Sequence, residues 1–570
     1  MSQQALSTNE AAEAAQLQLQ LQRHAQMVAQ LRRPGALAGA SGPAALIETH
    51  LSSLLLSGDR VYKLKRPVKF GFVDFSTLAL RREACLQELR VNHRTAPRHY
   101  LAVVPVCQAE GGAVVADADA ALAQWPGPVV DWAVQMRRFD DHQRFDRLAR
   151  GGRLTAAQVD ALAEQVARFH GQQAPAPPGC GRAEATRHWA RENLVELAAL
   201  LPVRAAGTLL SGAADTVTAL QRWTEARGAA LAPQMELRRA TGHVREVHGD
   251  LHLANIAWVD GAALLFDALE FNDSLRHIDT IGDLAFVFMD LQAQGQPKLA
   301  WRFISAALAA SGDHAALPLL AWWAVYRAAV RAKVALLAGD AAGPSQAQVY
   351  LQLAARLAGL PQDLPDERGA TGPAPTACRL VLMFGLSGSG KSTVSALLAE
   401  RIGAVRLRAD VERKRLFALP PSARAAPSLG LYSAEATRRT SDRLHELAGA
   451  ALQAGVSVVV DTASLRRGER NAMRALAARH GARFTLMACS APLARLADRL
   501  ERRAAAGSDA SDATLEVLDQ QQRWAEWPGA DEAADTLWLD TDLPRDELAR
   551  RCDALGFDTG DECAAPRNAG

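Results

Sequence analysis

The sequence predicts an α+β part, a small β-rich lobe before a larger helical one, followed by an α/β part built on a parallel sheet. Three observations predict it. At 360–377 (LPQDLPDERGATGPAPTA), Pro, Gly and charge replace periodic apolar residues, the mark of a linker. After this break, short apolar runs alternate with helix-period segments, as in a parallel sheet covered on both faces by helices. Before it, strand patterns crowd the first 140 residues or so, and helical periodicity dominates from about 153.

The elements follow in order. Residues 1–22 are polar and Gln/Ala-rich, read as a poorly ordered lead-in. Residues 46–66 read as two short strands around the hairpin-type turn Ser57-Gly58-Asp59. A helix pattern covers 78–94, and further strands run through VVDWAVQMRRF (129–139). The helical region is interrupted by a loop-rich stretch near 245–267. The apolar segment 317–339 carries Arg327, Arg331 and Lys333, each costly in hydrocarbon, so it reads as a buried helix and not a membrane span. In the second part the expected strands are 379–384, 404–410, 456–461, 483–488 and 535–540. The expected domains are 23–357 (small lobe about 23–140, helical lobe about 141–357), a linker at 358–377, 378–556, and a tail at 557–570.

Composition narrows the function classes. At ~150 residues per domain, 570 residues allow three or four folding units. The apolar and charged fractions, 49% and 22%, exclude wholesale disorder and collagen-like repeats. Seven scattered cysteines with no C-x-x-C argue against a disulfide framework or a cysteine zinc site. The N-terminus has neither the basic nor the apolar region of a secretory signal, so the expectation is a cytoplasmic protein without a membrane anchor. A net charge of +2 supplies no field for nucleic acid. Of 64 basic residues only seven are Lys, which singles each of them out, because Lys and Arg differ at phosphate and acid–base sites.

The strand RLVLMF runs into Gly385, Leu386, Ser387, Gly388, Ser389, Gly390, Lys391, Ser392 and Thr393, then a helix pattern. This is G-x-x-x-x-G-K-[ST] in its required strand–loop–helix setting. Glycines let backbone N–H groups turn inward around an anion, and the helix N-terminus adds its positive end. Lys391 is expected to follow the β- and γ-phosphates of ATP, and Ser392 to ligate Mg²⁺. Asp410 and Asp461 each end a strand pattern, which places both carboxylates beside the phosphates. Asp410 is the candidate base for an acceptor hydroxyl, and Asp461 the candidate for Mg²⁺. Arg413 and Lys414 suit an acidic acceptor, and the Arg-rich then Gly/Ser/Asp-rich stretch 495–513 suits a lid carrying Arg499, Arg502 or Arg503.

A second constellation lies in REVHGDLHLANIAWVDGAALLFDALEF (245–271). Asp250 would accept the proton of an attacking hydroxyl, while Asn255 and Asp267 supply hard oxygen ligands to Mg²⁺ on a nucleotide. Asp-x4-Asn is similar to the catalytic loop of protein kinases, although D-A-L-E replaces their D-F-G. H-G-D with this Asn and Asp resembles the aminoglycoside/choline phosphotransferase branch of the kinase-like fold. In that branch an Asp such as Asp279 or Asp283 braces the catalytic loop. The resemblance implies a strand lysine paired with a helix glutamate. Lys63 in VYKLK fits, with Lys65 on the same face and Glu88 as partner, Glu83 being the alternative. It also implies an adenine contact near Met136–Arg138. No G-x-G-x-x-G precedes Lys63, so Thr49 to Ser53 or the Ser57–Asp59 turn must cover the phosphates. His252 has no second ligand at metal spacing and reads as a loop hydrogen bond.

GLSGSGKST, RADVERKRLF, VVVDTAS and the arginine stretch resemble the small P-loop kinases: gluconate and shikimate kinases, polynucleotide 5′-kinases and zeta-toxin-like kinases. Over about 23–556 the chain resembles bacterial two-domain proteins that join an aminoglycoside-phosphotransferase-like domain to a P-loop kinase-like domain. The resemblance implies an ATP- and Mg²⁺-dependent phosphotransferase, bifunctional, acting on hydroxyls of small molecules. Two other readings are a nucleotide-gated regulatory ATPase with a degenerate kinase-like lobe, and a polynucleotide 5′-kinase, which the near-neutral charge disfavours.

Overall fold

A computed structural model describes residues 2–37, 42–71, 73–116, 124–204, 212–360, 378–420, 423, 430–506 and 514–555. Most of the expected linker (361–377), the end of the expected lid (507–513) and the tail (557–570) lie outside the described residues. The described residues form two compact units, those within 1–154, 169–294 and 322–367 making one and those within 155–168, 295–321 and 368–570 the other.

The first unit holds a six-stranded antiparallel sheet in the order Ala45–Glu48, Ser52–Ser57, Arg60–Lys65, Val129–Arg137, Tyr100–Ala109, Gly112–Val115. The segment 46–66 thus has one strand more than the sequence suggests: Thr49 closes a tight turn by receiving the Ser52 N–H on its hydroxyl at 2.9 Å. Side chains alternate across the sheet. Tyr62 and Leu64 join Leu55, Val104, Val106 and Ala133 in one core, while Lys63 and Lys65 face the other way, toward helix Leu78–His93. Helix Ser2–Leu31 runs through the expected lead-in of 1–22. The helix is anchored by Met27, Val28 and Leu31, which enter that core, and by His24, which meets Ser53 Oγ at 3.0 Å. A Gln/Ala/Leu-rich segment has the propensity to propagate a helix from such an anchor.

Helix Leu317–Ala338 is the buried helix expected there, with Trp322 and Trp323 enclosed and Arg327 surrounded by the rings of Phe286, Trp323 and Tyr326 at 4.9–5.4 Å. No helix among the described residues is long and apolar enough to cross a membrane.

The second unit contains a five-stranded parallel sheet in the order Ala404–Arg408, Ser457–Asp461, Arg379–Phe384, Arg483–Ser490, Thr536–Asp540. The second strand ends at Arg408, earlier than the sequence suggests, and Asp410 stands in the first turn of helix Ala409–Leu416. Contacts also assign 155–168 and 295–321 to this unit, unlike the composition boundary at 357. The cause is helix Pro297–Ser311. Its Arg302 joins Asp160 and Glu400, each at 2.5 Å, and its Ser305 Oγ accepts the Arg406 N–H at 3.2 Å on the sheet edge.

Candidate active sites

In the first unit, Lys63 donates to Glu88 Oε1 at 2.9 Å and to Asp267 Oδ1 at 2.5 Å, so Glu88, not Glu83, is its partner. Glu83 lies on the exposed side of the helix with Gln87. Lys65 takes the other Glu88 oxygen at 2.6 Å and also pairs with Glu270. Burial opposes every charge here, yet the opposite charges prevail for three of them. Asp267 and Glu88 hold the Lys63 ammonium well above its ordinary value. Glu270 and Glu88 raise Lys65, while the two lysines bring the Glu88 carboxyl down to about 2. Burial raises Glu270 despite Lys65.

Asp267 has φ 60, a left-handed conformation rarely adopted by non-glycine residues. Tyr100 Oη accepts its N–H at 3.0 Å and Asn92 Oδ1 accepts that of Ala268 at 2.9 Å, fixing this strained corner.

The loop 248–255 is held from below by helix Ile281–Ala293. Asp283 accepts the N–H groups of His248 at 2.8 Å and Gly249 at 2.9 Å and meets His170 Nε2 at 3.1 Å. Asp290 accepts the Leu253 N–H at 2.9 Å and the Tyr350 hydroxyl at 2.8 Å. Of the two expected braces, Asp283 contacts the loop and Asp279 instead pairs with Arg238 at 2.7 and 2.8 Å. Asn255 Nδ2 donates to Asp250 Oδ2 at 3.1 Å. His252 serves the loop, accepting the Ala254 N–H at 3.2 Å and lying 3.5 Å from Asp250 Oδ2. Burial pushes the Asp250 carboxyl up, but His252, Arg331 and His248 together hold it well below the usual carboxylate range.

Lys63, Asp250, Asn255 and Asp267 line one cleft of about 670 Å³. Met136, Arg137 and Arg138 border it, as does the 49–52 turn, whereas the Ser57–Asp59 turn does not. The donor set suits Mg²⁺, a hard cation that takes few protein ligands and completes its shell with phosphate and water. Asn255 keeps its carbonyl oxygen while its Nδ2 is engaged, and Asp267 has a side chain 41% exposed. Among the described residues no three His, Cys, Asp or Glu side chains cluster as a metal cage.

In the second unit, Gly385, Gly388 and Gly390 all have positive φ (144°, 83° and 80°). A Cβ at Gly388 would lie 2.7 Å from the Leu496 carbonyl oxygen, so this turn requires glycine. Lys391 Nζ lies across the loop, donating to the carbonyls of Gly385 at 2.8 Å and Leu386 at 2.7 Å. Its pKa is lowered by burial, against the pull of Asp461 and Asp410. The loop is tied from outside: Gln521 Oε1 accepts the Ser387 N–H at 2.8 Å, and Thr541 Oγ1 donates to Ser389 O at 2.9 Å.

Ser387 to Thr393, Asp410, Arg413, Asp461, Arg499 and Arg503 line a cleft of about 420 Å³, so most of the residues read from the sequence converge there. Arg413 stacks on Tyr432 at 4.7 Å and reaches Asp410 Oδ1 at 3.5 Å. Arg499 grips the loop, donating to Gly388 O at 3.2 Å and Thr541 O at 2.6 Å. Arg502 is not brought to the cleft. It pairs with Asp498 in solvent, and Lys414 is buried away from the lining. Asp461 meets Arg406 at 2.6 Å, and that arginine also donates to Ser392 O. One Asp461 oxygen and the exposed Ser392 hydroxyl remain for a hard cation.

Sequence reasoning missed Glu270, Asp290, Tyr100, Asn92 and Arg406. Two acids in the otherwise apolar run IGDLAFVFMD were the available signal for Asp290, since a buried carboxylate needs partners.

The AAA domain family model matches residues 380–528. Uncharacterized protein Rv2004c of Mycobacterium tuberculosis (strain ATCC 25618 / H37Rv) is 31% identical over 485 residues, 84% of this chain and 90% of its own length. Uncharacterized protein Mb2027c of Mycobacterium bovis matches to the same extent. Among solved structures, a choline/ethanolamine kinase family protein from Mesorhizobium loti covers 59% of this chain and 94% of its own, at 14% identity and TM-score 0.34. The Mycobacterium tuberculosis APS kinase CysC in complex with AMPPNP and APS covers 32% and 98%, at 27% identity and TM-score 0.24.

Proposed function

The chain belongs to the family of two-domain proteins, shared with these mycobacterial relatives, in which a region of kinase-like fold precedes a P-loop kinase domain, and from that premise we propose an ATP- and Mg²⁺-dependent phosphotransferase with two nucleotide sites, each serving a small-molecule hydroxyl. The observation that carries the reading is the Lys63–Glu88–Asp267 group facing the same cleft as Asp250 and Asn255. A degenerate binding lobe has no need to keep a buried lysine tied to two carboxylates, an arrangement that costs several kcal/mol in desolvation.

In the first site, Lys63 holds the ATP phosphates, Asn255 and Asp267 hold Mg²⁺, and Asp250 orients the acceptor hydroxyl. When bound, Mg²⁺ neutralises charge developing on the phosphate oxygens. The hydroxyl oxygen forms a bond to the γ-phosphorus, the bond from that phosphorus to the β–γ bridging oxygen breaks, and ADP leaves with the electron pair. Asp250 takes the hydroxyl proton. Because its carboxyl is held low, it is a weak base that accepts the proton only once the new O–P bond has acidified it, which suits a loose phosphoryl-transfer transition state. In the second site, Lys391 and the loop N–H groups hold the phosphates, Ser392 and Asp461 hold Mg²⁺, Asp410 is the base, and Arg413 and Arg503 face the transferred group.

The test uses the full chain, radiolabelled ATP and a broad panel of hydroxyl compounds. Two activities are expected, one lost in Asp250→Asn and the other in Lys391→Ala. If Lys391→Ala alone abolishes all turnover, the chain is a nucleotide-gated switch and the two-kinase reading fails. Salt-dependent capture of oligonucleotides would instead support 5′-end phosphorylation of nucleic acid.

A further inference from the structure

Beyond Asp250 the first cleft continues between two helices. Ala183–Arg204 contributes Trp189, Glu192 and Asn193 at positions i, i+3 and i+4, and Leu317–Ala338 contributes Arg327 and Arg331 at i and i+4. Asn193 and Arg327 are each 4% exposed. Neither amide atom of Asn193 has a protein partner, nor does Arg327 Nη2 or Arg331 Nε. Burying such a group unpaired is unfavourable, so four such atoms lining one cleft call for a ligand that meets them.

Their chemistry defines that ligand. Three of the four atoms are donors and one, Asn193 Oδ1, accepts. The charge is also one-sided. Lys333 is matched by Glu196 at 2.6 Å and Arg331 faces Asp290 and Asp250, whereas the buried Arg327 guanidinium packs among the rings of Phe286, Trp323 and Tyr326 and pairs with no carboxylate among the described residues. An ammonium-bearing acceptor would meet the uncompensated Arg327 guanidinium here. A neutral polyol would satisfy hydrogen bonds but leave the charge unanswered. A planar or tetrahedral oxyanion answers both, and guanidinium is the side chain best shaped to hold one.

We infer that the acceptor of the first site is a hydroxyl compound bearing an oxyanion, carboxylate or phosphate, which Arg331, Arg327 and Asn193 hold while its hydroxyl faces Asp250. This rests on the kinase reading for the hydroxyl, but the oxyanion subsite is testable without turnover.

Four compounds on one six-carbon frame serve as probes: glucose, glucosamine, gluconate and glucose 6-phosphate. Binding is measured by equilibrium dialysis on full-length Lys391→Ala with saturating non-hydrolysable ATP analogue, so that the phosphate-binding loop does not compete. Gluconate or glucose 6-phosphate is expected to bind at least tenfold tighter than glucose, with glucosamine weakest, and the ranking between the two anions distinguishes carboxylate from phosphate. Arg331→Gln and Asn193→Ala should each remove most of the preference, and circular dichroism establishes that both fold. Equal binding of all four, preference for glucosamine, or indifference to Arg331→Gln overturns the inference. Transfer to neutral sugars with no effect of Arg331→Gln would overturn it while leaving the kinase reading intact. Anion binding that depends on Arg331 without any transfer would uphold it and sink the kinase reading.

Discussion

Replacing Glu88 by Gln removes one charge from the most enclosed ion cluster of the first unit. The carboxylate is fully buried and receives Lys63 at 2.9 Å and Lys65 at 2.6 Å. Its carboxyl stands at about 2 against an ordinary 4.5, a difference of about two and a half units. At 1.36 kcal/mol per unit this is about 3 kcal/mol. The figure agrees with the ~3–5 kcal/mol typical of a buried pair that loses one partner. Gln keeps the shape and one acceptor but aims its NH₂ at an ammonium.

The folded pKa is depressed, so this stability is fully present above pH 4.5 and is lost as pH falls toward 2. The gap between wild type and Glu88→Gln should therefore be about 3 kcal/mol from pH 8 to 5.5 and about 1 kcal/mol at pH 3. The assay is urea titration read by hydrogen exchange at the amides of 60–65 and 78–93, which isolates this unit from the other. A gap below about 0.5 kcal/mol at pH 7, or one that stays constant down to pH 3, would refute the reasoning.

Two further outcomes follow from the geometry. Gly388→Ala places a methyl 2.7 Å from the Leu496 carbonyl at φ 83, so the phosphate-binding loop must open. A loss of about 2 kcal/mol in the second unit is expected, with nucleotide affinity there falling at least tenfold by fluorescent-nucleotide titration while that of the first site is unchanged. Asp283→Asn leaves one of the His248 and Gly249 N–H groups facing an NH₂ and lets the Asp250 loop shift. Turnover at the first site should fall by about 10–100-fold in kcat with nucleotide affinity within about twofold, because misplacement of the reacting group is the damage. Steady-state kinetics that showed the loss in KM alone would contradict this.

Much of both sites was legible because their chemistry is written in local spacing. Gly385–Thr393 and Asp250-x4-Asn255 each fall within ten residues, so one turn of backbone brings their groups together. Period-two alternation in VYKLK put Lys63 and Lys65 on one face, and the ion pairs bear that out. Less legible were partners from far along the chain. Glu270 reaches Lys65 across about two hundred residues, and Asp290 supports Leu253 from two turns beyond Asp283 on the same helix. Arg502 and Lys414 looked like site cations because composition cannot say which side of a helix faces the phosphates.

The sequence by itself determined the parallel sheet after residue 378, the phosphate-binding loop, the Asp250–Asn255–Asp267 set and the scarcity that drew attention to Lys63 and Lys391. Only the tertiary structure decided that the first helix completes the small-lobe core, that the 49–52 turn rather than 57–59 borders the cleft, and that Asp283 rather than Asp279 braces the loop. It alone brought Asn193, Arg327 and Arg331, from helices more than a hundred residues apart, to the lining of one cleft. Backbone periodicity is local and survives in one dimension. Which face of a helix meets which charge depends on packing across the whole chain, where burial sets how much each unpaired polar group costs.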